Sequence, residues 1–275
     1  MDLETLKDTP PWEWPAEAGK MFVRVLTDNR ARESDRLLAA ELAGDFTVLD
    51  DEIAEALLAT AASGDESEEL RGTAAISLGA ALEQADLMEV GDDEDDIISE
   101  PTFRGIQRVL RELFNDTAVP QDVRRRILEA SVRAPEDWHK AAVRAAYANH
   151  DEAWRLTAVF CMRFVPGFDA QIREALHSDD PDIHYQAVCA AGSREVDAAW
   201  AHVAALVTAD DTDKPLRLAA IDAAASIRPL EAAEILSPLT DSDDEDIADA
   251  AFEALAMAGA AAEFDEDEDD DDEFR

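Results

Sequence analysis

The chain has 275 residues, 47% of them hydrophobic, which is enough to bury a large core and excludes wholesale disorder. Ten glycines and eleven prolines exclude a collagen-like or low-complexity chain, and 53 alanines favour closely packed helices over sheets. Lys and Arg total 24 against 65 Asp and Glu, a formal charge of −41. A field of that size repels nucleic acid and anionic membranes unless the cations are segregated.

The amino-terminal segment, residues 1–15, contains Pro10-Pro11-Trp12-Glu13-Trp14-Pro15. It reads as an extended cap whose two tryptophans cover the exposed end of the first helices. The start Met1-Asp2-Leu3-Glu4 lacks the basic and apolar regions of a signal peptide, and Cys161 and Cys189 are too few for a disulfide framework, so a cytoplasmic protein is expected. No uncharged apolar run reaches the ~18 residues that a membrane span needs. Ala16 to Leu26 reads as the first amphipathic helix.

A repeat then governs the chain. Leu70, Val123, Trp154, Ile183, Leu216 and Ile247 open similar segments at spacings of 53, 31, 29, 33 and 31, with a degenerate copy at residue 35. Four positions on stand Ala74, Ile127, Ala158, Ala187, Ala220 and Ala251; seven positions on stand Ser77, Ala130, Cys161, Ala190, Ala223 and Ala254. Both offsets share a helical face with the opening residue, and small side chains there admit a neighbouring helix at short range. Asp151, Asp180, Asp213 and Asp244, three positions before the opening residue, are expected N-caps, and Pro181 takes the favoured first helical position. Second helices lie between, over 103–114, 135–147, 168–176, 196–207 and 230–239. The 53-residue gap holds one extra acidic insertion, 91–100.

These segments, with an acidic cap, an apolar residue, Arg and spaced alanines, resemble HEAT repeats of the phycobilisome-lyase-like type. The resemblance implies an all-α, right-handed superhelix of about seven helical hairpins over residues 16–262, with the second helices lining a concave face. It also implies a protein-binding role, and lyase chemistry is known in that repeat subtype. HEAT-repeat hydroxylases use His-Glu dipeptides; no His here precedes Glu, so their di-iron chemistry does not carry over. The 20 arginines against 4 lysines, and Asp in excess of Glu, resemble the balance in cytosolic proteins of halophiles. Residues 263–275 hold ten acidic residues and one Arg, a block expected to be disordered by its own repulsion.

The charge is unevenly placed. Residues 1–100 carry −20, residues 176–275 carry −23, and residues 101–175 carry +2. Within that basic island, Arg104, Arg108 and Arg111 fall at i, i+4 and i+7, opposite Ile106, Val109, Leu110 and Leu113. Arg124, Arg125, Arg126 and Arg133 follow, then Lys140 and Arg144, with Trp138 as an apolar anchor. This set is the expected partner-binding surface, for an acidic or amphipathic protein segment. A nucleic-acid groove of the kind seen in HEAT-like DNA glycosylases is the alternative. The acidic tail is a candidate intramolecular ligand for the same surface.

Other chemistry lacks its residues. No CxxC, HxxxH or HExxH occurs among His139, His150, His177, His184, His202 and the cysteines. The run Asp92-Asp93-Glu94-Asp95-Asp96 places Ile97 where a calcium loop needs Gly. No phosphate loop or serine-hydrolase elbow is present. Hence no catalytic residue, metal or cofactor is expected. The Arg column one position after each opening residue, Arg71, Arg124, Arg155 and Arg217, interrupted by His184, is expected to pair with carboxylates of neighbouring repeats.

Overall fold

The small residues at the fourth and seventh offsets are what let the helices stack. In the computed structural model, which describes residues 2–45, 47–88 and 97–271, with side chains to residue 259, Ala74, Ile127, Ala158, Ala187, Ala220 and Ala251 are all fully buried. So are Ala130, Cys161 and Ala190 at the seventh offset, with Ala223 and Ala254 almost so. The described residues hold α-helices and short 3-10 turns and no strand. They divide into two compact units, Met1–Ala142 and Val143–Arg275.

The first unit begins with α1 (Leu3–Lys7), a 3-10 turn over Pro11–Glu13, α2 (Ala18–Thr27) and α3 (Glu33–Leu42). It continues through α4 (Asp51–Ala62), α5 (Glu68–Leu87), α6 (Glu100–Asn115) and α7 (Gln121–Ser131) into the first part of α8 (Asp137–Tyr147). Two layers result. α3, α5 and α7 stack side by side, α2, α4 and α6 do the same, and α2–α3, α4–α5 and α6–α7 are the antiparallel pairs that join the layers. Phe22, Leu26, Ile53, Leu57, Leu70, Leu78, Ile106 and Leu110 fill the space between. Asp50 and Ser67 start α4 and α5 by accepting from the Ile53 and Leu70 amides at 2.8 and 3.2 Å.

The second unit repeats the arrangement. α9 (Glu152–Cys161), α11 (Pro181–Ser193), α13 (Lys214–Ile227) and α15 (Glu245–Asp271) form one layer. α10 (Asp169–Ala175), α12 (Trp200–Thr208) and α14 (Pro229–Leu236) pair with them. One close approach is at Gly192 on α11, where an added Cβ would stand 2.7 Å from the Ala223 Cα. Alanine there would press on backbone, so only glycine admits α13 at that distance.

Several expectations are corrected. Residues 1–15 are not wholly extended: Asp2 accepts from the Thr5 amide at 2.9 Å and opens the single turn of α1. Trp14 is the covering residue, its Nε1 donating to the Leu6 and Thr9 carbonyls and its ring edge-on to Phe22. Trp12 is 79% exposed and covers nothing. Asp151, Asp180 and Asp244 do cap their helices, but Asp213 stands at the N-cap of α13 without a side-chain bond to it. The backbone of α15 runs on to Asp271, with no Gly or Pro behind Gly259 to end the helix. Of the insertion, residues 91–96 lie outside the described residues, and Ile98 and Ser99 are already part of the packed start of α6.

Candidate interaction surface

The ten residues singled out by charge separate once each side chain is followed to its contacts. On α6, Phe103, Ile106 and Leu110 face the core and set the opposite face to solvent. Arg104 and Arg108 are each 65% exposed. Arg104 stands 3.8 Å from Glu100 and donates to Gln107 at 3.1 Å, and Arg108 reaches Glu112 at 3.2 Å. These are i,i+3 and i,i+4 contacts in water, each worth roughly 0–1 kcal/mol and readily exchanged for a ligand's carboxylate. Arg111 and Lys140 are exposed and have no ion pair among the described residues. Arg144, exposed on the later part of α8, belongs to the second unit.

The cations of α7 have other roles. Arg124 donates from Nε to the Phe114 carbonyl at 2.7 Å and lies over the Phe114 ring, 5.4 Å from its centre. Arg125 is held by Asp122 at 3.1 Å and Glu129 at 3.9 Å, and Arg126 by Glu129 at 2.7 Å. Arg133, after α7, pairs with Glu83 of α5, its stem resting where Gly79 has no Cβ. A groove of about 670 Å³ between α5 and α7 is lined by Arg125 and Arg126, but Glu68, Glu69 and Asp122 line it too. Its charges cancel locally, and it offers no basic pocket.

Trp138 is half-buried. It stacks on Phe114 with ring centres 5.1 Å apart and donates from Nε1 to Glu136 at 2.8 Å, which fixes the start of α8 against the end of α6. Next to it His139 is fully buried. Its Nδ1 accepts from the Glu136 amide at 2.8 Å, so Nε2 carries the proton and faces the Ser131 hydroxyl at 3.0 Å. Burial, aided by the charge of Arg111, lowers the pKa of His139 from 6.5 to about 4. These two aromatic groups build the α7–α8 turn beneath the basic surface.

The Arg column has a role that the sequence reading missed. Arg36, Arg71, Arg124 and Arg217 each donate to a carbonyl ten residues earlier, those of Leu26, Ala61, Phe114 and Val207, at 2.9, 3.0, 2.7 and 2.9 Å. Each acceptor lies in the last two residues of the preceding helix. The column therefore closes the carboxyl ends of second helices, where carbonyls lack partners and a cation complements the dipole. The expected ion pairs to carboxylates of neighbouring helices exist for two members of the column, Arg36 with Glu66 at 2.6 Å and Arg155 with Glu174 at 3.1 Å, and also outside it, for Lys214 with Asp244 and Arg228 with Asp197, both at 2.7 Å. Arg155 departs from the column's pattern, contacting Tyr147 and Glu174 instead.

The chain is an all-α repeat of helical hairpins. No protein-family model matches the sequence, and no curated protein matches it. Among solved structures it is similar to human deoxyhypusine hydroxylase, with 16% identity, 89% of this chain and 97% of that one covered, and a TM-score of 0.40. It is similar also to Escherichia coli YibA, with 14% identity, coverage of 90% and 84%, and a TM-score of 0.45. A designed armadillo repeat protein matches with 14% identity, coverage of 86% and 98%, and a TM-score of 0.33. The HEAT- and armadillo-like character rests on the hairpins themselves: paired helices, two layers in the first unit, and small residues at the stacking positions. Among the described residues no helix is long and apolar enough to cross a membrane.

Proposed function

We propose that this HEAT-like chain is a non-catalytic binding module that holds an acidic, amphipathic segment of another protein on the outer face of α6 and the adjoining start of α8. The observation that carries the reading is a contrast of charge. In a chain of −41, Arg104, Arg108, Arg111 and Lys140 stay exposed, two of them in weak i,i+4 pairs and two in none. Solubility gives no reason to concentrate arginine there, and arginine is over-represented where interfaces gain their energy. Arg124, Arg125 and Arg133 support the platform from within, Arg126 is exposed but tied to Glu129, and Trp138 stiffens its edge.

An acidic helix would present carboxylates at the same i, i+4, i+7 interval as the arginines. The test is fluorescence anisotropy with a labelled amphipathic peptide rich in Glu, against a scrambled acidic peptide and a DNA duplex of equal charge. The expected result is that the amphipathic peptide binds, and that Arg104→Glu, Arg108→Glu and Arg111→Glu together abolish binding without moving the unfolding midpoint. Tighter binding of the duplex, falling steeply with salt, would transfer the surface to nucleic acid.

A further inference from the structure

The repeat breaks its own rule once, at His184. Where Arg71, Arg124 and Arg217 donate to a carbonyl ten residues back, His184 is too short to reach one, and its ring turns instead toward α12. There its Nε2 stands 2.9 Å from the Nε2 of His202. A third imidazole, His177 in the turn after α10, packs edge-on against His202 with ring centres 5.0 Å apart. His184 and His202 are half-buried, His177 is exposed, and all three belong to the second unit.

Two features of this cluster are unlike a packing contact. Facing Nε2 atoms satisfy each other with only one proton between them, so one nitrogen offers a lone pair and the other offers one as soon as its proton moves to Nδ1. Burial lowers both pKa values from 6.5, aided by His177 at His184 and by His184 and then His177 at His202, which favours the neutral rings. Neutral imidazole is the form that ligates metals.

We infer that His184 and His202 form a two-imidazole chelate for a late first-row divalent ion with right-angled ligand geometry, Cu²⁺ or Ni²⁺. Nitrogens 2.9 Å apart, each about 2.0–2.1 Å from a metal, subtend roughly 90° at it, the angle of adjacent square-planar or octahedral positions; a tetrahedral Zn²⁺ site spreads them further. Among the described residues no three His, Cys, Asp or Glu side chains are grouped to hold a metal ion. The protein therefore supplies two donors, and water or a ligand group completes the coordination. His177 bounds the site without entering it. The negative field of the chain concentrates cations around it.

Titration of the full-length protein with Cu²⁺, followed by EPR and visible absorbance, tests this. Work at ~1 M NaCl, where the Debye length is ~3 Å, suppresses loose binding to carboxylates. The expected result is one tight equivalent with hyperfine coupling to two nitrogens. His202→Ala should weaken it by more than about tenfold, since even an outer-shell partner of a metal costs that much. His184→Arg restores the residue that the repeat uses elsewhere and keeps the fold, and it should lose the tight equivalent as well. His177→Ala should change affinity by less than about threefold. Equal affinity of wild type and His184→Arg, no nitrogen coupling, or a loss on His177→Ala as large as on His202→Ala would each overturn the two-imidazole site.

Discussion

On α6 the three arginines fall at i, i+4 and i+7 and share one face, so the helix points all of them at solvent while Phe103, Ile106 and Leu110 go inward. On α7 the three arginines are consecutive, and steps of ~100° fan them around the helix. Arg124 lands against the end of α6, Arg125 near Glu129 with only 14% of its side chain exposed, and Arg126 over Gly72 of α5. Equal charge in adjacent helices thus becomes a solvent-facing stripe in one and mostly local ion pairs and backbone bonds in the other. Spacing decides which, because the helix assigns each position a neighbour before charge has any say.

That contrast predicts unequal costs of removal. The largest belongs to Arg36, the most engaged arginine, which is 7% exposed. It donates twice to Glu66, at 2.6 and 2.8 Å, and once to the Leu26 carbonyl at 2.9 Å. Arg36→Met leaves Glu66 beside a hydrophobic stem and the end of α2 uncapped, and should cost about 3–5 kcal/mol in urea unfolding. A loss under about 1 kcal/mol would mean that water replaces the guanidinium and that engagement is not what separates the two classes.

His139 extends the comparison to acid. Its folded pKa, about 4, lies below 6.5, so between those values the unfolded chain takes up a proton that the folded chain refuses. Stability should be unaffected by this group above pH 6.5, fall as pH drops from 6.5 toward 4, and level off below. The total is about 3 kcal/mol. Unfolding midpoints of wild type and His139→Gln at pH 7, 5.5 and 4.5 isolate the effect from the many carboxylates. Parallel pH profiles would show that the imidazole is protonated in the folded protein.

How much of this was legible in sequence depends on the range of the interaction. The hairpins were legible because Ala74, Ala158, Ala187 and Ala220 recur in register, and burial at a fixed helical offset is a local property that periodicity reports. The Arg column was visible as a column, but its acceptors were not. They are backbone carbonyls, which leave no mark in composition, brought within reach by the short turn between helices. An Arg ten residues after the penultimate residue of a helix is a signal that would have found them. The facing of His184 and His202, 18 residues apart on different helices, depends on how α11 packs with α12, which no spacing motif encodes. The basic stripe of α6 was legible as a face. Which of the other cations stay exposed was decided by carboxylates as distant as Glu83, fifty residues from Arg133.

The smallest effects test the comparison most directly, because they ask the same substitution of neighbouring helices. Arg124→Met removes the 2.7 Å bond to the Phe114 carbonyl and the cation over its ring. A hydrogen bond from a charged donor to the end of a helix should be worth about 1.5–3 kcal/mol. Arg111→Met, one helix earlier, removes a side chain with no ion pair among the described residues and should shift stability by less than about 0.5 kcal/mol. For the acidic peptide the order reverses: Arg111→Met weakens binding, and Arg124→Met leaves it unchanged wherever the protein is folded. Two variants that moved stability and binding together would show that α6 and α7 respond as one packed body, and the division between supporting and exposed arginines would fail at the pair where it is sharpest.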